Sequence, residues 1–313
     1  MLKTVVEKID PERRAFDPDR TVVITGGTGG IGFHSALAMA RTGARVVITG
    51  RNRERGEAAR QRIMEEAENQ RVELVIGDVS SISSIDALAR ELNQRFDKLD
   101  VLVNNAGYLG NVKAMSKDGL EMHFAVNVIS PWRLTHAMLP ALKAAGKGRV
   151  VNLSAGDNAS GAPVPIDVDN LQAEKGFKGL LTMAHSKSVM EAMSCALAKR
   201  LASEGITVNV VFPGRASTAM TRSVSLKGLP GPMKLFLPCM KLMFMDDGGH
   251  GASRAAKSTV FACTSHELDG LTGRYFDSAC KERKMHPKAV DPEVQARILT
   301  AIEAAEGAGG GRY

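Results

Sequence analysis

The sequence predicts a doubly wound α/β fold of the Rossmann type, a parallel sheet of about seven strands with helices on both faces. Three observations carry that expectation. Short β-branched or leucine-rich runs recur along the chain, amphipathic helical patterns alternate with them, and a glycine-rich turn joins the first such run to the first helix. Strands that read as near-continuous apolar runs belong to sheets covered on both faces, and their alternation with helices is the mark of βαβ units.

The elements follow in order. Strands are expected at Thr21–Thr25, Ala44–Thr49, Val72–Gly77, Leu99–Asn104, Arg149–Ser154 and Thr207–Phe212. Helices are expected at Ile31–Thr42, Glu54–Asn69, Ile82–Phe96 and Leu180–Ser203, each with apolar residues at helical spacing and charges opposite. The alternation never breaks into a second core, so residues 20–290 form a single domain. Residues 1–19 are an N-terminal extension, and 291–313 are a terminal helix after Asp291-Pro292 followed by a glycine-rich frayed tail. The stretch 215–250 holds Met220, Met233, Met240, Met243 and Met245 around Gly228–Pro232, the composition of a mobile apolar lid.

Of 313 residues, 44% are hydrophobic and 24% charged, which excludes a disordered chain. No run of 18 uncharged apolar residues occurs and Met1–Arg14 has no hydrophobic signal region, so neither a spanning helix nor secretion is expected. Cys195, Cys239, Cys263 and Cys280 are far apart and form no Cys/His pair, which argues against disulfides and a metal site and for a reducing, intracellular, cytoplasmic setting. Residues 199–288 carry 14 Lys and Arg against 7 Asp and Glu, enough for the whole +7 excess. That excess is either a solvated face or an attraction to an anionic substrate or membrane surface. Nucleic acid is not an expected partner, since aromatics are 4% and no basic helix interleaves them. Pro232–Met245 mixes Leu, Phe and Met with Lys234 and Lys241, which leaves peripheral membrane contact open and a substrate lid preferred.

After the first strand comes Thr25-Gly26-Gly27-Thr28-Gly29-Gly30-Ile31-Gly32, opening a helix. A strand, a glycine turn and a helix N-terminus present backbone N–H groups and the positive end of the helix dipole to a diphosphate. The second strand ends in Thr49-Gly50-Arg51-Asn52, with a guanidinium where a carboxylate would bind adenosine ribose hydroxyls. A carboxylate would repel a 2′-phosphate and Arg51 can bind one, so NADP(H) is the expected cofactor.

The spacing of Gly26, Gly30 and Gly32 resembles the TGxxxGxG loop of the short-chain dehydrogenase/reductase family. Asp78-Val79 resembles its adenine-contact pair, Asn104-Asn105-Ala106-Gly107 its NNAG motif, and Asn127 its structural and catalytic asparagine. Pro213-Gly214 with Thr218 is similar to the PGxxxT segment that holds the nicotinamide carboxamide, and Lys187 to the lysine that binds the ribose. Within the family, Asp169-Asn170-Leu171-Gln172, His185-Ser186-Lys187 and Tyr275-Phe276 with Cys280-Lys281 and Pro287 resemble retinol dehydrogenases and protochlorophyllide reductases. That branch handles large apolar molecules, and the family commonly pairs as a homo-oligomer through helices that would begin near Leu120 and Leu180.

Two positions depart from the family. Four residues before Lys187, where its tyrosine gives a proton, stands Met183; three after Asn152, where its serine polarises a carbonyl, stands Ala155. Methionine donates no proton and alanine no hydrogen bond. Losses of about 10²–10⁴-fold and about 10²–10³-fold respectively are the usual scale, so ordinary ketone reduction is expected to be poor. Ser154 is one residue off and points to the other face of the strand. His185 lies about 200° round the helix from Met183 and faces away. Asp157, Asn158 and Tyr108 are weaker substitutes, with solvated-loop or packing roles expected, and Lys187 is itself a candidate acid. Three functions remain open: an NADP(H)-dependent oxidoreductase of an apolar small molecule with non-standard proton donation by water or Lys187, a non-redox cyclase or isomerase, and a catalytically silent NADP(H)-binding protein.

Overall fold

A computed structural model describes residues 17–155, 164–214 and 250–308. Residues 1–16, Asp157, Asn158, Thr218, Cys239, the lid 215–249 and the tail 309–313 lie outside the described residues.

The expected alternation is what the chain forms. In order come β1 (Thr21–Ile24), α1 (Gly30–Arg41), β2 (Arg45–Gly50), α2 (Arg53–Ala67), β3 (Val72–Ile76), α3 (Ile82–Arg95) and β4 (Val101–Asn104). After β4, α4 (Met122–Phe124) runs through a π-helical turn (Ala125–Ile129) into α5 (Ser130–Ala137) and α6 (Leu139–Ala144), followed by β5 (Arg149–Leu153). Then come α7 (Gly179–Leu201), β6 (Thr207–Val211), α8 (His250–Thr264), β7 (Tyr275–Phe276), β8 (Glu282–Arg283), α9 (Pro287–Val290) and α10 (Pro292–Ala308).

The described strands form one sheet in the order β3-β2-β1-β4-β5-β6-β7-β8. All neighbours pair in parallel except β7 and β8. The sheet therefore has eight strands where about seven were expected. The extra one is a two-residue edge strand, Glu282–Arg283, which carries no apolar signal because both residues are exposed. A second difference concerns the helix expected near Leu120, which is a series of short helices around the π turn rather than one long helix.

Alternation along the strands divides the core. Val22 and Ile24 pack with α1, α2 and α8 on one face, while Val23 packs with α3, the 122–144 helices and α7 on the other. The central strands β1, β4, β5 and β6 are buried on both faces, which is why they are mostly apolar, whereas β8 at the edge is exposed. α10 is part of the second core: its Ile298 and Ile302 are fully buried there.

Two buried arginines tie helices to this frame. Arg149, at the start of β5, donates to Ala262 O and Ser265 O at 3.1 and 2.9 Å and pairs with Asp269, fixing the end of α8. Arg133 on α5 makes a bidentate pair with Asp86 of α3 at 2.6 and 2.8 Å and reaches Glu306 of α10 at 3.0 Å. Trp132 Nε1 donates to the other oxygen of Glu306 at 3.0 Å.

Removing one partner of a buried charge cluster leaves the remaining charges uncompensated. Arg133→Leu should lower the unfolding free energy by about 3 kcal/mol, measured by urea denaturation. Glu306→Gln, which keeps the acceptor for Trp132, should cost about 1 kcal/mol.

Candidate functional site

The strand order reverses between β1 and β4, so the loops leaving their carboxyl ends diverge and open a crevice. The glycine turn follows β1 and Asn105-Ala106-Gly107 follows β4, so both motifs meet there.

They are bonded to each other. Thr25 Oγ1 accepts from the backbone N–H groups of Asn105 and Ala106, both at 3.0 Å. Asn105 Nδ2 donates to Thr25 O at 2.7 Å and to Gly26 O at 3.2 Å. This approach needs glycine: a Cβ on Gly32 would lie 2.4 Å from Asn105 Nδ2 and 2.5 Å from Gly26 O. Gly26 and Gly30 also take φ of 65° and 55°, the left-handed region.

The first turn of α1 presents an anion site. Its N-cap, Gly29, supplies no side-chain cap, the turn holds no acidic residue, and a Cβ on Gly29 would meet nothing within 4 Å. Open space before an uncapped helix N-terminus fits a diphosphate, so the glycine loop fits the cofactor expected from it. Ile31 lies half-buried on this turn. At the end of β2, Gly50 packs so closely on Thr28 that a Cβ would lie 2.6 Å from its methyl. Arg51 emerges exposed just beyond, and Asn52 caps α2 by accepting from Arg55 N at 2.8 Å.

Asp78 shapes the turn after β3: one carboxylate oxygen accepts from Ser80 N and Ser80 Oγ at 3.0 and 2.7 Å, while Val79 packs against the core. Past β6, Pro213 is buried and Gly214 turns with φ of 85°, where a Cβ would lie 2.9 Å from Ser278 Cβ.

The opposite wall is α7. Lys187 is buried and its Nζ donates to Leu153 O, at the end of β5, at 2.7 Å. Burial drives its pKa down from 10.5 to about 8, against an upward pull from Glu191. Asn127 sits in the π turn, a rare geometry often found at functional sites. Its Oδ1 accepts from Tyr108 N at 3.0 Å and its Nδ2 donates to Ser186 Oγ at 2.9 Å. Ser186 in turn donates to Met183 O at 2.7 Å. Asn127 thus connects the NNAG segment to the turn of α7 that carries Met183 and Lys187.

Ser154 and His185 are both engaged by neighbours. Ser154 turns toward α7 and donates to Glu191, as its strand neighbour Asn152 donates to Ser194 at 2.8 Å. His185 Nε2 accepts from Asp167 N at 3.0 Å, and burial lowers its pKa, so it is a packing residue. Tyr108 packs edge-on against His123, with ring centroids 4.9 Å apart. Burial, with the Glu121 charge behind it, raises the Tyr108 pKa, while Arg51 opposes. His123 Nε2 accepts from Gly110 N at 3.1 Å, so its proton is on Nδ1, donated to Glu121 Oε1 at 2.7 Å.

Glu191 was not singled out in the sequence, and Ser186 entered only as part of the His185-Ser186-Lys187 resemblance, with no role. Glu191 had a signal, since a residue four after a lysine on a helix lies beside it. The bond that Ser186 accepts from Asn127 had no signal, because it depends on the π turn. The Met-rich segment and Thr218 lie outside the described residues. Among the described residues no helix is long and apolar enough to cross a membrane.

Comparison with known proteins agrees with this geometry. The short chain dehydrogenase family model matches residues 20–228. Retinol dehydrogenase 13 of Mus musculus is 31% identical over 288 residues, 92% of this chain and 84% of the relative. Polyprenol dehydrogenase of Homo sapiens is 30% identical over 287 residues, covering 90% and 82%. A crystal structure of an uncharacterized protein from Mycobacterium paratuberculosis superposes with a TM-score of 0.71 at 23% identity, over 92% of this chain and 93% of that one.

The lysine gives a test of the site. Its folded-state pKa lies below its ordinary value, so its burial is destabilising below about pH 8, where both states hold the proton. Between pH 8 and 10.5 only the unfolded state holds it, so stability rises with pH. Relative to Lys187→Gln, the wild type should gain on the order of 3 kcal/mol of unfolding free energy across that window, measured by urea denaturation at a series of pH values.

Proposed function

Because the chain belongs to the short chain dehydrogenase family, we propose that this oxidoreductase binds NADP(H) and acts on an apolar small molecule, with Lys187 handling the proton. One observation carries the reading: the turns of Gly26, Gly32 and Asn105 are bonded together beside an open, uncapped helix N-terminus, while Met183 and Ala155 stand where the family has its acid and its carbonyl donor.

The chain's residues divide the work. Thr28, Gly30, Ile31 and Gly32, on the turn into α1, hold the diphosphate; Arg51 takes the 2′-phosphate; Asp78 and Val79 flank the adenine. Ala106 and Gly107 line the crevice beside them. Lys187 holds the nicotinamide ribose, and Pro213, Gly214 and Thr218 the carboxamide. When bound, this cofactor supplies or accepts a hydride. Met183 cannot move a proton and Ala155 cannot polarise a carbonyl, so the best substrate needs little help at oxygen: a conjugated alkene, a quinone or an iminium. Lys187, buried with its proton on Nζ, is the acid within the same wall. The names of the relatives, dehydrogenases of retinol and of polyprenol, support an apolar substrate.

NADPH titration tests the reading, followed by the cofactor's own emission. Saturable binding of NADPH in preference to NADH is expected, and Arg51→Ala should weaken NADPH by about 10–100-fold, the scale of a charge-assisted bond, with little effect on NADH. Absence of binding to either form overturns the assignment.

Restoring the family's residues tests the departure. Met183→Tyr with Ala155→Ser should create ketone reduction at least about 10²-fold above wild type, read as NADPH consumption with an apolar ketone. Wild type should oxidise NADPH with an electron-poor alkene or quinone; binding without any such turnover would favour the silent NADP(H)-binding protein.

A further inference from the structure

Two consecutive residues at the end of β5 hold two side chains of α7. Leu153 O accepts from Lys187 Nζ at 2.7 Å, and Ser154 Oγ donates to Glu191 Oε1. Lys187 and Glu191 are one helical turn apart, and both are at least 91% buried, with relative exposures of 9% and 8%. A carbonyl is a neutral partner and does not offset the cost of taking an ammonium out of water. Among the described residues Glu191 is the charge that acts on Lys187. Other titratable groups on α7 are engaged elsewhere: His185 with the 167 backbone, Lys199 with Gln295 of α10 at 3.0 Å. Cys195 lies one turn past Glu191, and burial with that carboxylate pushes its thiol up to about 11, which keeps it neutral.

We propose that Glu191, aimed by Ser154, is the positioning residue that keeps the buried Lys187 ammonium charged, so that Lys187 serves as the proton donor missing at position 183. In that step one N–H bond of the ammonium breaks, and the proton bonds to the substrate atom that carries the electron pair. A neutral amine remains, which solvent recharges. Ser154 is then a part of the acid's support rather than a displaced copy of the family's serine. The donor role rests on the oxidoreductase reading; the coupling of Glu191 to Lys187 does not.

The cofactor-free protein tests the coupling directly. Lysine labelled with ¹³Cε and ¹⁵Nζ is followed by NMR from pH 6 to 10.5, with the Lys187 signal assigned by its loss in Lys187→Arg. The wild-type midpoint is expected near 8. Glu191→Gln keeps an acceptor for Ser154 and removes the charge, and should lower the midpoint by about one pH unit. Glu191→Asp should restore most of the difference, and Ser154→Ala should move the midpoint down by less than Glu191→Gln. An unchanged midpoint in Glu191→Gln, with circular dichroism showing a folded chain, overturns the proposal. Should Glu191→Gln not fold, an unmoved midpoint in Ser154→Ala does so instead.

Turnover separates the donor role from the coupling. An acid must be protonated, so the wild-type rate with a quinone or alkene should fall above about pH 8, and the fall should begin about one pH unit lower in Glu191→Gln. A rate profile that ignores Glu191→Gln while the NMR midpoint moves overturns Lys187 as donor. Failure of the wild type to bind NADPH overturns the oxidoreductase reading and leaves the coupling standing.

Discussion

The close approach of two turns at the strand-order reversal organises this molecule. Asn105 can reach Thr25 O and Gly26 O only because Gly32 presents no Cβ, which would otherwise stand 2.4 Å from its amide nitrogen. That contact fixes the end of β1 against the end of β4 and sets where α1 begins. The open, uncapped helix N-terminus is its consequence, since the backbone spends its glycines on the approach and leaves no side chain to fill the anion site. The glycine turn, the Asn105 turn and the centre of the sheet are thus one piece of packing.

A second constraint reaches the site from α7. Asn127 serves three elements at once, the NNAG segment through Tyr108, its own π turn, and α7 through Ser186. A regular α-helix would rotate the following residues by a different angle, so the π turn and the amide bonds are mutually dependent. The wall that carries Met183 and Lys187 is therefore held in register with the cradle. On the proposed reading, Met183 and Ala155 stand on a support that is itself fully bonded.

How much of this was legible in the sequence follows from the range of each interaction. The central strands could be read because a sheet covered on both faces makes them apolar, and the glycine turn because backbone conformation restricts residue type locally. β8 was not, since Glu282 and Arg283 pair only with a two-residue partner and lie exposed. The break in the helix near Leu120 was not, because a π turn is stabilised by contacts to Tyr108 and Ser186 that lie 19 and 59 residues away. Lys187, Met183 and Ala155 were singled out by the resemblance to the family's motif. Ser186 and the partnership of Ser154 with Glu191 needed the packing of α7 on β5.

The persistence of Lys187 bears on what the site does. In a family site with its tyrosine, the lysine acts partly through that neighbour; here methionine removes the neighbour and the lysine stays buried. A buried ammonium is a net cost to folding below pH 8, and an apolar residue of similar length would fill the same space without it. Nor does the seat neutralise the cost, since Leu153 O is uncharged and Glu191 only offsets part of the burial. Sites that break a local rule of stability with no structural gain are where function is to be sought. A dinucleotide ribose and a proton to be delivered are the two tasks available to a charged Nζ in this wall. The first is met by any donor of suitable length, whereas only the second requires a pKa near the working pH. Burial and, among the described residues, the Glu191 carboxylate one turn away set that value together.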